Sequence, residues 1–218
     1  MKKIMLLIFG CTMLTTVHAQ STFGLKLAYN RTTATSPVNY ADTRGIDRIQ
    51  LGIFGKLDLY KHFFVKGNLT YNQKGNHYSD LYYMADAGKS VDIKLNYLEA
   101  SADLGYAIKL IGKHKILLGA GPYLAYGLNG TEKGKMETIA GMRDFNRKVK
   151  YTNSDYNDGT KLQIKPIDFG LNFNVGYQYR KYGLFFNYGL GLTNRENLAY
   201  SYNSYNRVAS VGISYSFR

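Results

Sequence analysis

From residue 22 onward apolar side chains recur at every second position, and a period of two excludes helices as the main architecture. The clearest stretch is 166–179, where Ile167, Phe169, Leu171, Phe173, Val175, Tyr177 and Tyr179 share one face. Asp168, Gly170, Asn172, Asn174, Gly176 and Gln178 occupy the other. The same alternation runs through 22–30, 48–59, 63–74, 116–129 and 184–194. It closes the chain with Val211, Ile213, Tyr215 and Phe217 against Ser210, Gly212, Ser214 and Ser216. An eighth segment, 91–108, changes phase: Val91, Ile93, Leu95 and Tyr97 are followed by Leu98, Ala100, Ala102, Leu104 and Tyr106. A β-bulge near Tyr97–Leu98 would keep both apolar halves outward; two short strands with a break are the alternative.

The connections alternate in length. Short ones fall at 60–62, 109–115 and 180–183, long ones at 31–47, 75–90, 130–165 and 195–206. That asymmetry predicts an all-β fold, an eight-stranded antiparallel up-and-down transmembrane β-barrel, with both termini on the short-turn side. A soluble eight-stranded carrier would alternate too, with its apolar face inside. The chemistry of the polar face decides for the membrane, because Gly, Asn, Ser, Thr and Gln fit a narrow lumen whereas Phe, Leu, Ile and Tyr overfill it. The composition agrees, with 21 Tyr, 11 Phe and 23 Gly beside only 3 Pro and no Trp. Tyr60, Phe63, Tyr106, Tyr177, Tyr179 and Phe217 form one expected aromatic girdle, and Tyr29, Tyr71, Tyr97 and Tyr126 the other. No stretch approaches the roughly 20 apolar residues of a spanning helix.

The first residues read differently. Met1-Lys2-Lys3 is a positive n-region, Ile4 to Phe9 an apolar core, and Val17-His18-Ala19 a small-residue cleavage site. Residues 1–19 are therefore expected to be a signal peptide, leaving 20–218 as one barrel domain. The single cysteine, Cys11, leaves with it, and with it any disulfide, thiolate metal site or cysteine nucleophile. A lipidation box at Ile8-Phe9-Gly10-Cys11 is weakened by Phe9 and the short apolar core. Export also makes nucleic acid an unexpected partner despite a formal charge of +13.

Asn96-Tyr97-Leu98-Glu99, Gly121-Pro122-Tyr123 and the final Gly212-Ile213-Ser214-Tyr215-Ser216-Phe217, together with the leader and eight strands, resemble the PorT-like outer-membrane β-barrel family of Bacteroidetes-type bacteria. The likeness covers the whole mature chain. Ala100-Ser101-Ala102 stands where that family more often has Ile-Pro and bulky aliphatics, and the chain ends in Arg218 instead of an aromatic residue. The resemblance implies a bacterial outer-membrane barrel, with founding members associated with a protein-secretion apparatus.

The charges divide by location. Alternation and polarity assign Lys26, Arg48, Lys56, Lys66, Lys94 and Arg207 to the lumen, facing Asp58, Asp92, Glu99, Asp103 and Asp168. Buried charges must pair, so a salt-bridge network is expected to plug the barrel, with a gated ion path as the alternative. Lys61, Lys109, Lys113, Lys115, Arg180, Lys181 and Arg218 fall on the short turns without an acidic neighbour there. That basic periplasmic rim suits anionic outer-membrane lipid or an envelope partner. Chemistry has little to stand on: His77 with Ser79 and Asp80 on a long loop is the best candidate triad, and Asp155 and Asp158 read as turn formers rather than metal ligands. No catalytic residue, metal or cofactor is expected. The segment 130–165, with Met136, Ile139, Met142 and Phe145, and the loop tyrosines Tyr78, Tyr82, Tyr83, Tyr200, Tyr202 and Tyr205 are the candidate binding surface, a solvated loop set being the alternative. The expected role is structural or interactive, through the long extracellular loops and in association with secretion or cell-envelope assembly; a narrow pore for small solutes or ions is the alternative.

Overall fold

Eight long strands follow one another as antiparallel neighbours, and the last pairs with the first. They are β1 (Ser21–Ala34), β2 (Ile46–Asp58), β3 (Phe63–Leu81), β4 (Gly88–Lys109), β5 (His114–Thr138), β6 (Ile167–Tyr179), β7 (Tyr182–Gly191) and β8 (Asn206–Ser216). The computed structural model describes residues 21–35, 42–81, 88–138, 141–153, 162–195 and 203–217. The expected leader, Cys11, Tyr82, Tyr83, Tyr200, Tyr202, Asp155 and Asp158 lie outside them. Closure runs from Gly24 opposite Ser216 to Ala34 opposite Asn206. An antiparallel barrel closed this way leaves no unpaired edge in its wall, as a backbone surrounded by hydrocarbon requires.

Within the wall the apolar phase points out. Leu25, Leu27, Ile53, Leu104, Phe173, Phe186 and Ile213 are exposed, while Lys26, Ala28, Phe54, Asp103, Asn172 and Phe185 between them are buried. A soluble carrier would show the reverse. The interior is narrow, and its few aromatics fit because glycines face them. A Cβ at Gly24 would stand 2.6 Å from the Phe54 ring, and one at Gly212 2.6 Å from that of Phe185. The three short turns lie at one end, where Lys61 and Arg180 adopt positive φ of 61° and 52°.

At the other end the strands outrun the membrane. The described residues of 75–90 and 130–165, expected as loops, are mostly β-structure. Asn76 pairs with Ile93 and Leu81 with Gly88, and Gly141–Lys148 folds back along Thr131–Thr138. Lys150–Tyr151 pairs in parallel with Gln163–Ile164, and Asp42–Arg44 adds to β3. At 25 residues, β5 far exceeds the roughly 9–11 that span hydrocarbon.

This extension corrects the reading of 91–108. The facing of β4 does not change: Val91, Ile93, Leu95, Tyr97, Glu99 and Asp103 are all buried. What changes is the medium outside. Within the belt the outward phase meets lipid and is Leu98, Leu104 and Tyr106; above it the outward phase meets water and is Asp92, Lys94 and Asn96. The apolar residues there turn inward instead. Tyr97, fully buried, is therefore not a girdle residue. A bulge does exist at this level, but on the neighbouring strand: Asn96 pairs with Asn129 and Tyr97 with Gly127, which leaves Leu128 over in β5. Two consecutive residues there, Leu128 and Asn129, both point out.

Candidate functional site

The inward phase of eight strands builds a lumen in tiers. The uppermost is apolar: Tyr78, Val91, Ile93, Leu95, Tyr97, Tyr123 and Ala125 pack with Val149 and Ile164 from the folded-back segment. Tyr151 stacks edge-on against Tyr97 at 5.9 Å between centroids and covers Gly127, whose missing side chain leaves room for the ring. Within the candidate binding loop 130–165, Val149, Tyr151 and Ile164 thus form a lid on the barrel mouth, while Thr131–Thr138 and Gly141–Lys148 extend the sheet beyond it.

Beneath it sits a charged tier. The Lys74 ammonium lies 2.8 Å from Glu99 Oε2 and 2.9 Å from Asp168 Oδ2. Asn72 Nδ2 donates to Glu99 Oε2 at 2.9 Å, and Asn206 Nδ2 to Asp168 Oδ2 at 2.9 Å. Lys74 also stands over the rings of Tyr123 and Tyr97, 4.3 and 5.3 Å from their centroids. Arg195, equally buried, donates through Nη2 to Asn76 Oδ1 at 2.7 Å and Tyr78 at 3.1 Å, and through Nε to Ser204 Oγ at 3.0 Å. One cation between two carboxylates leaves one negative charge over, which the amide donors of Asn72 and Asn206 help to hold, and removing Lys74 strands both carboxylates in a low-dielectric interior.

The middle tier is amide and hydroxyl: Asn68, Thr70, Asn172, Asn174, Asn187 and Ser210, several with an unpartnered buried atom. The lowest tier holds Lys26, Lys56, Lys66 and Asp103 among Phe54, Phe64 and Phe185. Lys56 pairs with Asp58 at 3.0 Å, and Asn68 Nδ2 donates to Asp103 Oδ2 at 3.0 Å.

The structure thus gathers Lys26, Lys56, Asp58, Lys66, Glu99, Asp103 and Asp168 inside the barrel, with ion pairs in two tiers and Lys26, Glu99 and Asp103 bordering the polar space between them. Arg48 keeps the inward phase near the top of β2, half-buried, with Nη1 donating to the Asp47 carbonyl at 2.7 Å. Arg207 is not luminal. It shares the phase of Val211 and Ile213, and its Nη1 donates to the Gly191 and Asn206 carbonyls at 2.7 and 2.9 Å on the outer wall. Asp92 and Lys94 likewise point outward above the belt, where Asp92 meets His77 Nδ1 at 2.7 Å. Sequence reasoning missed Lys74 and Arg195. Lys74 continues the inward phase of Lys66, Asn68, Thr70 and Asn72, a signal present in the chain; Arg195 follows a turn that no alternation marks.

Outside the belt, Arg31 Nη1 meets Asp47 Oδ1 at 2.7 Å. The Tyr29 hydroxyl, with Arg31 second, holds the Asp47 carboxyl below the usual carboxylate range. At the opposite end Lys61, Lys109, Lys113, Arg180 and Lys181 are exposed and Lys115 half-buried, none in an ion pair among the described residues. His114 stacks on Tyr179 at 4.6 Å there.

The family model described as outer membrane protein beta-barrel domain matches residues 18–196. No curated protein matches the chain. Among solved structures, Neisserial surface protein A is similar at 17% identity, covering 89% of this chain and 97% of that one, with a TM-score of 0.45. OprG from Pseudomonas aeruginosa is similar at 11% identity, covering 91% and 95%, with a TM-score of 0.47. Ail of Yersinia pestis is similar at 11% identity, covering 90% and 99%, with a TM-score of 0.40.

Proposed function

The chain belongs to the outer membrane protein beta-barrel domain family, and we propose that it serves the bacterial outer membrane as a closed scaffold that presents an extracellular docking platform, not as a pore. Short turns face the periplasm in such barrels and the longer segments face out. The carrying observation is the double closure of the long-strand end. An ion triad at Lys74, Glu99 and Asp168 fills the lumen, and an apolar cluster roofed by Val149 and Ile164 lies above it.

The platform is the sheet made by the outer parts of β3, β4 and β5 with Gly141–Lys148. Ordered β-structure on a rigid barrel binds without the ordering cost of a free loop. The PorT-like motif Asn96-Tyr97-Leu98-Glu99 supports a place near that branch, since Tyr97 and Glu99 are both components of the closure. On that likeness the platform's partner is a component of secretion or envelope assembly.

Planar-bilayer recording tests the closed lumen. The purified protein should insert without steady unitary conductance; regular steps would restore the narrow-pore reading. Cross-linking through cysteines placed at exposed Lys133 or Lys135, followed by identification of the adduct, tests the platform.

A further inference from the structure

We propose that the outward face of the extracellular sheet, just above the lipid belt, binds a phosphate group of an outer-leaflet lipid head among Lys94, Lys133 and Lys148. The proposal rests on the reading of that sheet as a docking platform and names the chemistry taken at its base.

Strand register brings these residues together. Above Asn96 and Asn129, whose side chains are hydrogen-bonded at 2.6 Å, three rows cross β4, β5 and Gly141–Lys148. The first is Lys94, Thr131 and Lys148, the second Asp92, Lys133 and Asn146, and the third Ser90, Lys135 and Asp144. Residues opposite one another in antiparallel strands share a face, so the outward facing of Asp92 and Lys94 extends along each row. Neighbouring strands lie about 4.8 Å apart, and alternate residues of one strand about 7 Å. The backbones of Lys94 and Lys148 are thus roughly 10 Å apart, with that of Lys133 roughly 8 Å from each. Thr131, half-buried, stands between them.

Charge on this face is unequal. The three rows carry four lysines and two carboxylates. Asp92 already meets His77 Nδ1 at 2.7 Å and lies in the field of Arg48, and Asp144 stands opposite Lys135. Glu132 belongs to the other face, where Arg147 Nε lies 3.4 Å from its carboxylate. Lys94, Lys133 and Lys148 make no ion pair or side-chain hydrogen bond among the described residues, and Lys133 and Lys148 are exposed.

The height of the face names its occupant. Leu98 and Leu128 are exposed apolar residues of the lipid belt, and Asn96 and Asn129 follow them as the polar border. Two residues of tilted strand climb about 5 Å, so the Lys94 row enters the headgroup layer, which is about 5–7 Å deep on each side of the hydrocarbon. Lysine stems can lie along an apolar wall and leave the ammonium at that level. A phosphate accepts several charge-assisted hydrogen bonds at once, and three ammonium groups with the Thr131 hydroxyl supply the donors.

The test uses the full mature protein folded in dodecyl maltoside, with diphosphoryl lipid A as the probe and the same lipid stripped of both phosphates as the control. Native mass spectrometry reads the lipid retained, which should be the probe and not the control. Lys94→Gln, Lys133→Gln and Lys148→Gln together should weaken retention on the order of 10- to 100-fold. Lys113→Gln, Lys115→Gln and Lys181→Gln together, at the opposite end, should leave the tightest site intact. If the first variant does not fold, Lys148→Gln alone carries the comparison. Undiminished retention in the outer variant, or loss in the rim variant alone, would overturn the site. Dextran sulfate that displaced the probe at equal charge would assign the face to a soluble acidic glycan and overturn the lipid. An impermeant maleimide applied to intact cells carrying Lys135→Cys tests the premise separately. Labelling without lipid retention sinks this proposal alone; no labelling sinks the extracellular placement and the proposal with it.

Discussion

Among single residues, Lys74 has the most leverage, because two buried carboxylates depend on it. Its ammonium is the shared partner of Glu99 and Asp168, so Lys74→Met leaves two carboxylates facing each other inside the barrel. That change should cost about 3–5 kcal/mol in urea unfolding from micelles. Adding Glu99→Gln and Asp168→Asn should restore most of the loss, since the triple variant leaves no charge at the three triad positions. If Lys74→Met were as stable as the parent, the triad would be decoration. The luminal positions of Lys26, Lys56, Lys66, Glu99, Asp103 and Asp168 were legible from alternation alone. Arg207 was not, because its polarity points to the lumen while its phase points outward: at the upper edge of the belt an arginine can face out and still reach the Gly191 and Asn206 carbonyls. Arg195 lay beyond any periodic signal, for its burial depends on where the chain turns after β7.

At the level of elements, β4 obeys two opposite hydrophobic rules along one unbroken strand. Leu95 and Leu98 are both apolar, but Leu95 is fully buried in the outer cluster and Leu98 faces lipid. Substitutions in the two halves should therefore fail differently. Leu95→Ala should cost about 2–5 kcal/mol locally and open the outer sheet to external trypsin at Lys133 and Lys135, while the heat-sensitive gel mobility of a folded barrel persists. Leu104→Arg, near the middle of the belt, should cost about 2–4 kcal/mol of insertion and reduce the folded band itself. Identical outcomes for both would contradict the division. The sequence showed eight strands, their order and the face that meets lipid. It showed the phase change too, but periodicity reports only which residues share a face. Whether that face looks at lipid, water or a lid is set by how far the strand climbs, and the outer pairing of Asn76 with Ile93 was hidden within segments polar enough to read as loops.

Taken whole, the molecule is polarised along the membrane normal, with a sealed outer end and a basic inner end. Anionic headgroups near the inner rim should contribute up to about 1 kcal/mol per nearby cation at low salt. The Lys113→Gln, Lys115→Gln and Lys181→Gln triple variant should then fold more slowly into vesicles containing phosphatidylglycerol and normally into neutral ones; equal rates in both would remove the rim from insertion. The reversal of apolar facing on β4 has a mechanical corollary. Sinking by one strand repeat, about 7 Å, would drag the Arg31–Asp47 pair and Lys94 into hydrocarbon, and rising by as much would lift Leu98 and Tyr126 into water. The barrel is thus graduated like a float, with a single waterline. A bilayer of the wrong thickness must thin, thicken or let the barrel lean, because sliding is the one adjustment this wall forbids.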